Sequence, residues 1–285
     1  MRRYLLAKDH LQWKRTVTGP METKDIIKNI FKQPNLWGSV VPMNAFGTYA
    51  LYSIFLGSAP AWWWIATIIG YVCLMMIGIS AGYHRYLSHK GFEVSKPMKF
   101  FMLWCATLAG QGSPIFWVTV HRGYHHRHTD KLGDPHSPNG GFWHSYMLWM
   151  FKLKEGDLNP RSCVDLMRDP DVMFFHNHYQ KILWISHIVV ALISFDLWLY
   201  TLAFPAFITL HSYSIQTSMN HSKSYGYKNY EQDNDSVNVV WLFPFILGET
   251  WHNNHHGDAK NPNYGHRHWW ELDPTFWIIK LIRTD

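Results

Sequence analysis

Three histidines fall within five residues near the C-terminal end of the chain, at His252, His255 and His256. One residue of an α-helix advances the chain by about 100°, so positions i, i+3 and i+4 lie within about one turn. Neutral imidazole is the commonest protein ligand of transition metals, which makes this triplet a candidate part of a metal site. Three imidazoles from one turn cannot surround an ion, so further ligands must come from elsewhere.

The sequence supplies three more groups of histidine. They are His84 with His89, His121 with His125 and His126, and the lone His221. Nine imidazoles are too many for one octahedral ion and suit two. Because residues five apart point about 140° apart on an α-helix, we expect His84 and His89 to serve different ions. A nitrogen ligand set without thiolates argues against structural zinc, and imidazole suits iron among the redox metals.

Apolar runs that could cross a membrane lie between these clusters. Four of them approach the ~20 residues that a spanning helix needs, at about 40–56, 61–80, 182–199 and 202–216. If all clusters share one site they lie on one side, so the shorter run at about 98–112 must enter and return, or lie flat. Lysine and arginine fall on the histidine side, which the positive-inside rule assigns to the cytoplasm.

Composition agrees with a chain that is only partly inside a membrane. Hydrophobic residues make up 47% and charged residues 16%, yet the mean hydropathy is −0.18, which favours a few spans plus a large water-facing portion. The net charge of +6 comes from scattered basic residues without a nucleic-acid module, so no nucleic-acid partner is predicted. The three cysteines form no C-x-x-C pair, which excludes a disulfide framework or zinc ribbon.

The sequence therefore predicts an all-α integral membrane protein. Four transmembrane helices in two hairpins would carry a cytoplasmic helical cap that holds the two-metal site. Residues 1–39 would be a basic cytoplasmic segment and 40–285 a single domain, with both termini in the cytoplasm.

The clusters resemble, in order and spacing, those of the membrane fatty-acid desaturases of the acyl-CoA, Δ9 type, including bacterial members. The stretch 84–89, HRYLSH, is similar to the family's first box, H-R-x-x-x-H. Residues 125–136 keep its spacing from the second box to a D-P-H, and 248–256 resemble its third box. His221, followed by a Y-G-Y, resembles the family's isolated histidine. The resemblance covers about 40–282.

The resemblance implies a di-iron centre held by the nine histidines, which uses O₂ and two electrons to place a cis double bond, at Δ9, in a long-chain acyl group. The acyl chain would be carried by CoA or a membrane lipid, and electrons would come from external ferredoxin or cytochrome b5. Gln111 and Trp117 sit at offsets where such enzymes place residues near the bend of the acyl tunnel; ordinary helix packing is the alternative.

One departure concerns His121. Three residues separate it from His125, where the acyl-CoA type has two. Unless a helical bulge absorbs the extra residue, His121 is rotated by about 100°, and His128 is then the replacement ligand.

Other polar residues near the boxes receive supporting roles. Asp130, Asp134 and Glu249 are candidates to accept the second imidazole N–H and orient the ligands; solvated loop carboxylates are the equal alternative. His136 is a candidate neighbour of the ligands, whereas His187 and His211, inside apolar runs, are expected to make helix contacts.

Two other functions compete with desaturation. A membrane di-iron hydroxylase or alkane monooxygenase would use the same metals and differ in product. A histidine-rich metal transporter would need polar ligands within the spans near the midplane, whereas these clusters stand at span ends and between spans.

Overall fold

The computed structural model describes residues 36–153 and 157–285. Within these ranges the regular structure is helical, with isolated β-bridges and no strand, so the all-α prediction is confirmed. Nearly all of the predicted basic segment 1–39 lies outside the described residues.

We number the main described helices in chain order. They are α1 (Val41–Phe55), α2 (Trp63–Ser88), α3 (Lys96–Leu108), α4 (Pro114–Val118 continued by Thr119–His125 and His126–His128), α5 (His144–Leu148 continued by Trp149–Lys152), α6 (Pro170–Asn177), α7 (Tyr179–Ile193), α8 (Phe195–Trp198 continued by Leu199–Ala203 and Phe204–Met219), α9 (His252–Gly257) and α10 (Pro274–Ile282).

Helix α2 is the central element of the fold. It has 26 residues, and among the described residues it is the helix long and apolar enough to cross a membrane. Its first part is a regular α-helix, whereas Val72–Ser88 is wound as a π-helix. Helices α3, α8 and α10 pack against it. Gly78 permits the approach of α3, because a Cβ there would lie 2.6 Å from the backbone nitrogen of Ala106.

The boundary between α7 and α8 lies earlier in the chain than the boundary between the apolar runs at about 182–199 and 202–216. Ser194 adopts an extended backbone, with φ of −161°, and its side chain accepts a hydrogen bond from the backbone N–H of Leu197. This cap ends α7 at Ile193 and starts α8 at once. Residues 195–201 therefore belong to the second helix of the pair.

Helix α3 is too short to cross a bilayer. Its 13 residues give a length of about 20 Å, against a hydrocarbon core of about 30 Å. One face buries Leu103 and Ala106, whereas Phe100 and Trp104 are exposed. After the helix the chain turns at Gly110 and Gly112, which both have positive φ, and enters α4.

Candidate metal centre

Nine histidine side chains converge from four parts of the chain into two groups. Within each group the potential ligand atoms lie within 4.8 Å of one another. The five-histidine group consists of His84, His89, His121, His126 and His255, and the four-histidine group of His125, His221, His252 and His256. The structure thus brings together every histidine that the sequence singled out as a ligand.

All nine side chains present the same atom, Nε2, to the interior of their group. In the five-histidine group, Nε2 of His255 lies 3.1 Å from that of His84 and 2.9 Å from that of His126. In the four-histidine group, Nε2 of His252 lies 2.8 Å from that of His221 and 3.2 Å from that of His256. One N–H cannot bond to two such neighbours, but a cation among the nitrogens can bind all of them, so the residues present fit a metal in each group.

The expectation that His84 and His89 face different ions is wrong, because both lie in the five-histidine group. The cause is the π-helical winding of this end of α2. The backbone N–H of His89 donates to the carbonyl of His84 over 3.2 Å, an i to i+5 bond that brings positions five apart to nearly the same face.

The second histidine box, which contains His121 and His125, has the same π-helical winding. Thr119–His125 is also π-helical, and this winding absorbs the extra residue between His121 and His125. His121 joins the five-histidine group and His125 the four-histidine group, while His128 belongs to neither.

The two asparagines inside the third box anchor α9. Nδ2 of Asn254 donates to the carbonyl of Tyr264 and to Oε2 of Glu271, both over 2.8 Å, and its Oδ1 accepts from Nδ2 of Asn238 over 2.9 Å. Asn253 is likewise buried and bonded. These bonds fix a short helix whose three histidines point to the metal groups.

Each predicted carboxylate lies at the second nitrogen of a different histidine. Oε2 of Glu249 is 2.8 Å from Nδ1 of His84, Oδ2 of Asp134 is 2.9 Å from Nδ1 of His125, and Oδ1 of Asp130 is 3.0 Å from Nδ1 of His221. A carboxylate accepts the Nδ1 proton, which leaves Nε2 unprotonated and directed at the metal.

A fourth orienting group was missed by the sequence reasoning. Nε2 of the Gln216 side-chain amide lies 2.9 Å from Nδ1 of His252, and this contact holds the imidazole ring in place. Gln216 is an uncharged residue in α8 with no motif, so only the packing of α8 against α9 identifies it.

The electrostatics of the site suit metal binding. Burial holds the pKa of His252 and His255 well below the usual value, so both imidazoles are neutral and can coordinate. Burial alone would raise the pKa of Glu249, but its contact with His84 and the charge of Arg85 outweigh burial and lower that pKa to about 2. The carboxylate is therefore ionised at neutral pH.

His136 and the two histidines inside apolar helices have other neighbours. The ring of His136 lies 4.5 Å from that of His125, and burial lowers its pKa to about 3. Nε2 of His187 contacts the carbonyl of Leu108 over 3.2 Å, and Nδ1 of His211 contacts the hydroxyl of Tyr146 over 2.5 Å. The expected helix contacts of His187 and His211 are confirmed.

Five of the nine histidines line an apolar cavity. Gln111 and Trp117 both line it, together with Tyr213 and Leu210 from α8. Nε1 of Trp117 donates to Oε1 of Gln111 over 3.3 Å, and the Trp117 ring lies 5.1 Å from that of His121. A long apolar ligand in this cavity would therefore pass beside the metal groups.

Comparisons with known proteins agree with this geometry. Residues 58–282 match the family model described as fatty acid desaturase. The chain is 34% identical to Delta-9 acyl-lipid desaturase 1 of Arabidopsis thaliana, over 72% of this chain and 68% of the relative. It is 33% identical to sn-1 stearoyl-lipid 9-desaturase of Anabaena variabilis, over 73% and 75%, and 33% identical to sn-2 palmitoyl-lipid 9-desaturase of Nostoc sp. (strain 36), over 87% of each.

Proposed function

The chain belongs to the fatty acid desaturase family, a family of oxidoreductases, and on that premise we propose that it is an O₂-dependent membrane desaturase that forms a cis Δ9 double bond in a long-chain acyl group. The observation that carries the proposal is the convergence of nine Nε2 atoms in two groups, with five of these histidines lining an apolar cavity. The reaction removes two hydrogens from adjacent methylenes and consumes O₂, two electrons and two protons to give two waters.

The nine histidines would hold two iron ions, five ligands at one and four at the other. Bound iron supplies the activation of O₂ that an unactivated C–H bond requires. The protein's own residues position the reaction. Glu249, Asp134 and Asp130 keep the proton of their histidines on Nδ1, and burial excludes competing water from the ligand groups.

The cavity residues would place the acyl chain. Trp117 and His121 both line the cavity with their rings 5.1 Å apart, and the indole of Trp117 donates a hydrogen bond to Gln111. A rigid wall here selects which methylene lies beside the metals, and hence the position of the double bond.

Membrane insertion by four spans, with the metal site on the cytoplasmic side, is part of the proposal. Its support is α2, long and apolar enough to cross, together with outward apolar side chains on α1 and α7. Phe55 is 87% exposed and Leu192 82% exposed, and such side chains are stable against lipid rather than water.

We assign the acyl carrier as a membrane lipid rather than CoA. The support is the relatives from Arabidopsis, Anabaena and Nostoc, whose names describe acyl-lipid, stearoyl-lipid and palmitoyl-lipid desaturases. Electrons would come from a separate ferredoxin or cytochrome b5.

Expression in a host that lacks its own desaturase tests the proposal. Fatty-acid methyl esters would be separated by gas chromatography and the double bond located by mass spectrometry of dimethyl disulfide adducts. We expect Δ9 monounsaturated chains in glycerolipids when a working electron donor is co-expressed. Hydroxylated chains would instead indicate a di-iron hydroxylase, and unchanged lipids with metal uptake into vesicles would indicate a transporter.

A further inference from the structure

A buried arginine stands directly behind the metal-facing histidines. Arg85 follows His84 in the chain, and its side chain has no solvent exposure. A cation in such a place is stable only when carboxylates and carbonyls surround it. The role that we infer for Arg85 rests on the proposed function and extends it.

Arg85 holds one oxygen of Glu249 and leaves the other for His84. Its Nη2 and Nε donate to Oε1 of Glu249 over 3.0 and 3.2 Å. The hydroxyl of Ser80 donates to the same oxygen. With Oε1 occupied, Oε2 is directed at Nδ1 of His84, 2.8 Å away.

The same guanidinium ties this pair to the C-terminal part of the chain. Its Nη1 donates to Oδ2 of Asp273 over 2.6 Å and to the carbonyl of Pro262 over 2.8 Å. The guanidinium carbon lies 3.9 Å above the ring of Tyr264, and that ring packs 4.6 Å from His255, another member of the five-histidine group.

We propose that Arg85 is a positioning residue for the five-histidine metal site, acting through Glu249 on His84 and through Tyr264 on His255. The planar guanidinium of Arg85 contacts two carboxylates, a carbonyl and an aromatic ring at the same time, which a lysine ammonium cannot do. In the four-histidine group Asp130, Asp134 and Gln216 orient the ligands. Its connection to Arg85 is weak, because it passes through a contact of 3.5 Å between Nε2 of Gln216 and Oε2 of Glu249, at the limit of a hydrogen bond.

The inference predicts that removal of Arg85 weakens one metal site and spares the other. Full-length protein, purified with its iron, would be exposed to graded chelator, and the retained iron would be counted by mass spectrometry. In Arg85→Gln we expect one iron per chain to be lost at roughly 10- to 100-fold lower chelator concentration, with release of the other iron unchanged. Lys99→Gln is the matched control, because Lys99 also lies between two carboxylates, Asp169 and Asp171, away from the histidines.

The outcomes separate this inference from the proposed function. Wild-type protein that retains fewer than two irons would contradict the metal centre itself. Two irons in both proteins, with identical release, would overturn the role of Arg85 alone. If Arg85→Gln does not give monodisperse protein, Arg85→Lys is measured in its place. Iron release from one site at an intermediate chelator concentration would support the positioning role. Iron release identical to that of wild type would show that Arg85 acts only as a structural cation.

Discussion

Oδ2 of Asp134 lies 2.9 Å from Nδ1 of His125, while Nε2 of the same imidazole lies 3.2 Å from Nε2 of His256. One side of the ring is thus held by a carboxylate and the other faces the four-histidine group. Carboxylates in this position fix the tautomer and raise the basicity of the ligand nitrogen.

Asp134→Asn should weaken the four-histidine site. A neutral amide is a poorer acceptor for the Nδ1 proton, so we expect one iron per chain to be released at roughly 10- to 100-fold lower chelator concentration. Asp169→Asn, which affects a pair with Lys99, is the control. Identical release from Asp134→Asn and wild type would contradict an orienting role.

Replacement of a ligand histidine should have a larger effect on product formation and bound iron than replacement of the carboxylate that orients it. His84→Ala, His125→Ala and His252→Ala should each abolish the unsaturated product and lower bound iron, because each removes a nitrogen from a group. His178→Ala, at an exposed helix end, should keep both. Full product formation in any of the three would remove that residue from the ligand set.

Trp117 should control where the double bond is placed. Trp117→Ala removes a ring that lines the cavity beside His121, and misplacement of the methylene by about 1 Å costs about 10²-fold in rate. We expect much less product, with double bonds at more than one position and unchanged iron content. Trp143→Ala, at a side chain 68% exposed, is the control. A wild-type product profile in Trp117→Ala would show that the ring does not set the position.

The protein should become less stable below pH 6.5, in part through His144. Burial, aided by the charge of Lys152, lowers the pKa of His144 from 6.5 to about 4. Between these values the unfolded chain binds more protons, so stability falls as the pH falls, by at most about 1.4 kcal/mol per pH unit from one group.

His144→Gln tests this directly, because the amide can still donate to the carbonyl of Pro135, as Nε2 of His144 does over 3.0 Å. Thermal unfolding in detergent, followed by tryptophan fluorescence between pH 7 and pH 4.5, should show a shallower loss of stability in the variant. Parallel curves would mean that His144 does not contribute.

The sequence was sufficient to identify the nine histidines that the structure brings together, because imidazole clusters are rare and chemically specific. It was insufficient for the pairing of His84 with His89, since no local residue pattern marks the i to i+5 winding of this end of α2. Gln216 lies in no motif, and the first box contains Arg85 without indicating its role. Their partners, His252 and Glu249, lie 36 and 164 residues away, and only the folded chain brings them together.

The predictions on metal ligands, on the groups that orient them and on product formation depend on the claim that the nine histidines hold two iron ions. Iron per chain, measured by mass spectrometry on full-length protein purified from iron-supplemented cells, tests that claim most directly. We expect two irons per chain and a clear reduction in His252→Ala, because Nε2 of His252 lies 2.8 Å from that of His221 and 3.2 Å from that of His256. Wild-type protein without iron, or with the same iron content as His252→Ala, would contradict it.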